Sequence, residues 1–361
     1  MSRIQELARL GQSVWLDYIS RSLIKTGELQ SFIGEGLGGI TSNPTIFEKA
    51  IAGSPDYDDD IRRFSAGGKP VMEIYEALAV DDITRAADLL RPVHEDTRGA
   101  DGYVSLEANP KLAYDTEGTI AEVRRLWKRL SRPNVMIKVP ATAAGIPAIE
   151  RLTAEGINVN ITLIFSLSHY EAVARAYMGG LEKLASAGGP VEKVASVASF
   201  FVSRIDTAVD RELEAKGVTE LRGRIAVDYS KIVYSRFRDF LSSPRWKRLA
   251  ERGAGVQRLL WGSTGTKNPA YSDLLYVDGL IGPDTVNTMP PATLDAFRDH
   301  GRPAVTVTEG LADARGRLAR LEASGISIGG ITQKLQDEGV AAFARSFESL
   351  LKSVAGKQKQ L

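Results

Sequence analysis

The 361 residues carry a formal charge of only +1, so no overall field draws the chain to nucleic acid or to an anionic membrane, and any anionic ligand must be held by local charge. The chain is 43% hydrophobic and 25% charged, the balance of a soluble globular protein that buries a large core without staples. It has no cysteine and only three scattered histidines, His94, His169 and His300; disulfides, thiolate nucleophiles and thiolate metal sites are excluded, and lysine and carboxylates remain as the reactive inventory.

The first ten residues mix charges of both signs and lack the apolar run of a signal peptide. The longest apolar stretch, around Val194–Val202, is too short to span a bilayer. A cytoplasmic protein is therefore expected. In chain order, strands are expected at Ser13–Ile19 and Gly38–Thr41. A long insert follows from Pro44 to Ala100, with an acidic Asp56–Asp60 stretch and a helical Val71–Arg91; its placement is left open, over the barrel or at an interface. Further strands are expected at Gly102–Ala108, Asn134–Val139, Asn158–Phe165, Val194–Phe201, Arg258–Ser263 and Thr285–Met289. Helical periodicity falls between them at Thr119–Leu130, Ala143–Glu155, Leu167–Ala187, Ile205–Ala215 and Ala226–Leu241. After Pro291 the pattern is helical at Ala292–His300, Leu311–Ala323 and Gln333–Val354, and the polar tail Lys352–Leu361 is expected to fray. Strands alternating with helices imply parallel pairing, and eight strands imply a closed (β/α)8 TIM barrel with extra helices in the insert and at the C-terminus. No linker or repeat divides the chain, so residues 1–361 read as one domain. No G-x-G-x-x-G follows the first strand, which weakens a dinucleotide-binding reading.

Barrel chemistry gathers at the C-terminal strand ends. On the fourth strand Val135, Ile137 and Val139 share one face and Met136 and Lys138 the other, which would point into the barrel. A desolvated lysine tends toward the neutral amine that attacks a ketone; the same residue could instead snorkel to water or pair with an acid. On the fifth strand Asn158, Asn160 and Thr162 form a polar face opposite Val159, Ile161 and Leu163. That face calls for a hydroxylated ligand and an ordered water, or else for a self-satisfied polar floor. Glu107 and Asp17 end the third and first strands; each reads as a general acid/base or as an ion-pair partner. Arg204, Ser263 and Lys267 suit a phosphate, with Gly262–Lys267 supplying small residues and backbone N–H groups. This loop lacks Walker A spacing, and a surface loop with an incidental lysine is the other reading.

Seven segments, in order, resemble the transaldolases, and most closely their longer actinobacterial and plant type: SVWLDYI (13–19), GITSNP (39–44), VSLEANPKLAYD (104–115), VMIKVPA (135–141), GINVNITLIFS (156–166), SFFVSRID (199–206) and WGSTGTKNP (261–269). The resemblance implies a pentose phosphate pathway transferase with no metal or organic cofactor and with sugar-phosphate substrates, as a monomer or homodimer. It implies Lys138 as the Schiff-base lysine and Glu107 as an acid/base working through a water that Thr162 orients. It further implies Asp17 as the acid/base at the cleaved substrate's hydroxyl. Asn43, Asn160 and Ser199 would hold the dihydroxyacetone part, and Arg204 and Ser263 the phosphate. Shorter transaldolases carry an arginine two residues after the serine matching Ser263; here Gly265 stands there, and Lys267 is assigned to phosphate by function. Phe200 and Phe201, beside Ser199, are read as water-excluding. A class I aldolase that releases free dihydroxyacetone is the nearest competitor, though related aldolases are much shorter; an inert sugar-phosphate binder is the other. With the chain ending at Leu361, no fused glucose-6-phosphate isomerase is expected.

Overall fold

A computed structural model describes all 361 residues. Its eight strands are β1 (Gln12–Leu16), β2 (Gly39–Thr41), β3 (Tyr103–Glu107), β4 (Val135–Pro140), β5 (Val159–Ile164), β6 (Ser196–Phe201), β7 (Arg258–Gly262) and β8 (Thr285–Met289). They pair in chain order, all in parallel, and β8 returns to β1 to close the barrel. The expected (β/α)8 barrel is thus observed. β1 is shorter than its sequence pattern because Asp17 leaves the strand just after its N–H reaches the Met289 carbonyl at 2.8 Å.

Strand alternation divides the interior from the surrounding helices. Val135, Ile137 and Val139 join the large core between sheet and helices. Met136 points the other way, into a separate apolar plug with Trp15, Tyr103, Val197, Leu260 and Val286. Trp15 covers Gly39 so closely that an added Cβ would sit 2.7 Å from the indole, which makes glycine necessary there. The plug fills the barrel toward the N-terminal strand ends and forces polar inward residues into the layer above it.

The insert folds into helices Pro44–Ala52, Asp58–Ala66 and Val71–Asp96. The acidic stretch is accounted for by position: Asp58, Asp59 and Asp60 occupy a helix's first turn, where negative charge meets the positive end of its dipole. Arg21, 3% exposed, ties the insert to the segment after β1 through Asp60 at 2.6 Å, Asp82 at 3.1 Å and Asp81 at 3.2 Å.

The C-terminal helix Ile328–Gln360 buries Thr332, Gln336, Gly339, Val340, Phe343, Phe347, Leu350 and Val354, a stripe at helical spacing. It packs across the insert helices, and Thr45 Oγ1 donates to Ser346 Oγ at 2.9 Å. The expected fraying of Lys352–Leu361 is corrected here: the helix runs to Gln360, held by Lys357 Nζ, which lies 2.6 Å from both the Ser54 carbonyl and the Asp58 carboxylate. No helix is long and apolar enough to cross a membrane.

Candidate active site

The register of β3, β4 and β5 puts Glu107, Lys138 and Asn160 side by side. Lys138 is 5% exposed. Its Nζ lies 3.1 Å from Glu107 Oε2 and donates to the Ser42 carbonyl at 3.0 Å. Burial pushes the Glu107 carboxyl above the usual carboxylate range, while the Lys138 amine pulls it back. Beyond Lys138, Glu107 Oε2 has no partner, and the fully buried Thr162 Oγ1 has none at all. Two such orphaned oxygens in one polar layer call for a water or a ligand.

Asn160 is held on both sides: Nδ2 donates to Ser105 Oγ at 3.0 Å and Oδ1 accepts from Ser199 Oγ at 2.6 Å. Asp17 Oδ1 accepts from Thr41 Oγ1 at 2.7 Å, and Thr41 in turn meets Thr288 Oγ1 at 2.6 Å. Burial pushes the Asp17 carboxyl upward; Lys138, Thr41, Lys267 and Arg204 oppose it.

Above this layer opens a cavity of about 310 Å³ at the C-terminal strand ends. Seven of the ten residues singled out from sequence line it: Asp17, Asn43, Lys138, Ser199, Arg204, Ser263 and Lys267. The other three, Glu107, Asn160 and Thr162, lie in the buried layer around Lys138. Asn43 also caps the helix Pro44–Ala52, accepting from the Ile46 N–H at 3.0 Å, so its Nδ2 is the part left for a ligand. Arg204 pairs with no carboxylate; its guanidinium rests over the Phe201 ring at 5.3 Å, and burial pulls its pKa down against Asp17. Lys267 and Lys49 line the same mouth, exposed and without an ion-pair partner. Two larger hollows lie elsewhere. One, of about 500 Å³, is floored by the plug residues Tyr103, Met136 and Val197 at the opposite barrel end. The other, of about 870 Å³, is a shallow surface groove crossed by the pairs Lys183–Glu150 and Arg245–Glu182. Neither contains Lys138.

The sequence profile of the family described as Transaldolase/Fructose-6-phosphate aldolase matches residues 14–354. The chain belongs to this family. It is 48% identical over 359 residues to a transaldolase of Thermobifida fusca, covering 98% of each chain. It is 47% identical over 358 residues to a transaldolase of Thiobacillus denitrificans, covering 98% of this chain and all of the relative. A third relative, Transaldolase 2 of Nostoc sp., is 46% identical over 376 residues, covering all of this chain and 99% of its own.

The departure from the shorter transaldolases at Gly265 has a steric counterpart. A Cβ there would meet Thr293 Oγ1 at 3.2 Å and Pro290 Cγ at 3.5 Å, so a side chain in its place would press on Thr293, and Lys267 is the lysine that lines the cavity from this loop. Ser263 holds a left-handed φ of 55°; its Oγ meets Ser203 Oγ at 2.9 Å and its carbonyl accepts the Ser203 N–H at 3.1 Å. The expected water-excluding pair splits by strand alternation. Phe201 lines the cavity, whereas Phe200 faces outward and packs on Tyr229 and Trp261 at 6.1 and 6.2 Å. Sequence reasoning missed Thr41, Lys49 and Phe343, which line the cavity as well. Thr41 lay within the GITSNP segment, and Lys49 follows it by one helical turn and a half. Phe343 arrives from the C-terminal helix and has no local signal.

Proposed function

We propose that the protein transfers a dihydroxyacetone unit from sedoheptulose 7-phosphate to glyceraldehyde 3-phosphate, giving erythrose 4-phosphate and fructose 6-phosphate, through a Schiff base on Lys138. Family membership supports the reaction. The observation that carries the residue assignment is a lysine 5% exposed, in contact with a buried carboxylate, at the base of a cavity rimmed by unpaired cations.

The Lys138 amine attacks the ketone carbon, and Glu107 passes protons through a water held by Thr162 as the carbinolamine loses water to the iminium. Asp17 takes the C4 hydroxyl proton as the C3–C4 bond breaks and its electrons pass into the iminium, leaving an enamine on Lys138. The aldose phosphate departs. The enamine then attacks the aldehyde carbon of the acceptor, Asp17 returns the proton, and hydrolysis frees Lys138 and the new ketose phosphate. Asn43, Asn160 and Ser199 hold the three-carbon unit, and Arg204, Ser263 and Lys267 the phosphate. The upward push on both carboxyls suits this work, because a raised pKa makes each carboxylate a stronger proton acceptor. Phe201 helps exclude the water that would release the three-carbon unit early. The scheme calls on no metal or organic cofactor. We read residues 1–361 as a single cytoplasmic unit.

The test is acceptor dependence. Fructose 6-phosphate is expected to be consumed only when erythrose 4-phosphate is present, with sedoheptulose 7-phosphate accumulating. Free dihydroxyacetone released at a comparable rate without acceptor would favour the aldolase reading, also within the family's description.

A further inference from the structure

We infer that Gln336, on the C-terminal helix, is a positioning residue that fixes the aim of Thr162. β5 does not run straight to its end. Its pairing with β6 holds at Ile161 opposite Ala198 and resumes at Ile164 opposite Phe200, so Thr162 and Leu163 together face the single residue Ser199. This is a bulge, and it turns the strand where Thr162 sits. Leu163 takes a φ of 57°, a region that leucine rarely enters. Such a conformation persists only where its surroundings over-determine it.

One turn of the C-terminal helix supplies those surroundings. Gln336 is 5% exposed in a stripe that is otherwise mostly apolar. Its Nε2 donates to the Leu163 carbonyl at 3.1 Å and to the Ala141 carbonyl at 2.9 Å, and lies 3.3 Å from His169 Nδ1. Leu163 is the strained residue itself, and Ala141 is the residue whose N–H binds the Thr162 carbonyl at 2.9 Å. The amide therefore grips the residue after Thr162 and the residue hydrogen-bonded to the Thr162 carbonyl. One turn further on, Gly339 leaves room for the Leu163 side chain; a Cβ there would stand 2.9 Å from Leu163 Cδ2. A buried amide in such a stripe is costly unless its hydrogen bonds are needed, and here they hold the bulge at Thr162, whose buried hydroxyl has no partner.

This inference rests on the assignment of Thr162 to the adduct-forming step. The experiment is a double-mutant cycle on the single-turnover rate of borohydride-trappable adduct with fructose 6-phosphate, using Gln336→Leu in the wild-type and Thr162→Ala backgrounds. Gln336→Leu is expected to slow trapping about tenfold with KM within about twofold, since small misplacements of catalytic groups cost this much or more. In the Thr162→Ala background the same change is expected to alter the rate by less than about twofold. Equal slowing in both backgrounds, a change confined to KM, or no slowing would overturn the inference. Gln336→Met, nearer in shape and likewise without a donor, gives the same cycle should Gln336→Leu fail to fold: slowing only with Thr162 present supports the inference, and any other pattern overturns it. A wild type that forms adduct at a rate indifferent to Thr162→Ala overturns the inference alone. A wild type that forms no adduct overturns the Lys138 assignment with it.

Discussion

Lys138 was legible as a candidate because strand parity is strict: once Val135, Ile137 and Val139 are assigned outward, Lys138 has only the interior; Glu107 and Asp17 were legible from their places at strand ends, and Ser199 from the resemblance. Parity also separates Phe201 from Phe200, a distinction lost when the two are treated as a pair. Glu107→Gln removes the proton relay and is expected to slow adduct trapping about 10²–10⁴-fold, measured in single turnover; a rate within about twofold of wild type would contradict its acid/base role. A second buried carboxylate gives a sharper pH prediction. Asp206 accepts from the Ala226 N–H at 2.7 Å and from Tyr276 Oη at 3.1 Å. Burial, with Asp210 and Asp228 nearby, nevertheless pushes it up to about 7. A raised folded pKa means that its contribution to stability is full below the ordinary carboxylate range and is lost as pH rises toward 7. Asp206→Asn does not titrate, so its stability relative to wild type is expected to rise between pH 4 and pH 8, by on the order of 4 kcal/mol at most. Denaturant titrations at the two pH values check this, and an unchanging difference would contradict it.

At the scale of elements, all eight strands could be read because they are short runs rich in β-forming residues, and helical patterns separate most of them. Two features could not. The bulge at Thr162–Leu163 has no local signature, since leucine does not announce a positive φ; it is held by Gln336 from far along the chain. The polar tail carries the composition of a fraying end, yet Lys357 finds its partners in the insert. Lys357→Met is expected to cost about 1 kcal/mol in thermal unfolding, and no change would show the end of the helix to be untethered. Arg21 is the firmer link between insert and barrel. Asp82 is fully buried against it and against the Tyr57 hydroxyl, which donates at 2.8 Å. Burial pushes Asp82 upward and Arg21 opposes that, so Arg21→Met leaves a buried carboxylate unpaired and is expected to cost about 3–5 kcal/mol. Adding Asp82→Asn should recover most of the loss; two independent, additive losses would contradict the coupling.

For the whole molecule, closure of the sheet brings residues from Asp17 to Phe343 around one mouth. Lys49 and Phe343 escaped the sequence reading for that reason: they belong to helices laid over the barrel, where strand parity says nothing. The near-neutral chain offers no long-range field for a phosphorylated substrate, so binding must come from the local cations. Arg204→Ala is expected to raise KM for fructose 6-phosphate about tenfold or more while leaving turnover of unphosphorylated fructose within about twofold; equal losses on both sugars would contradict a phosphate role. The central claim is the covalent one. Borohydride reduction in the presence of fructose 6-phosphate, followed by peptide mass spectrometry, is expected to place a reduced three-carbon adduct on Lys138 of the wild type and to find none in Lys138→Ala. An active wild type with no adduct, or with its adduct on another lysine, would contradict it.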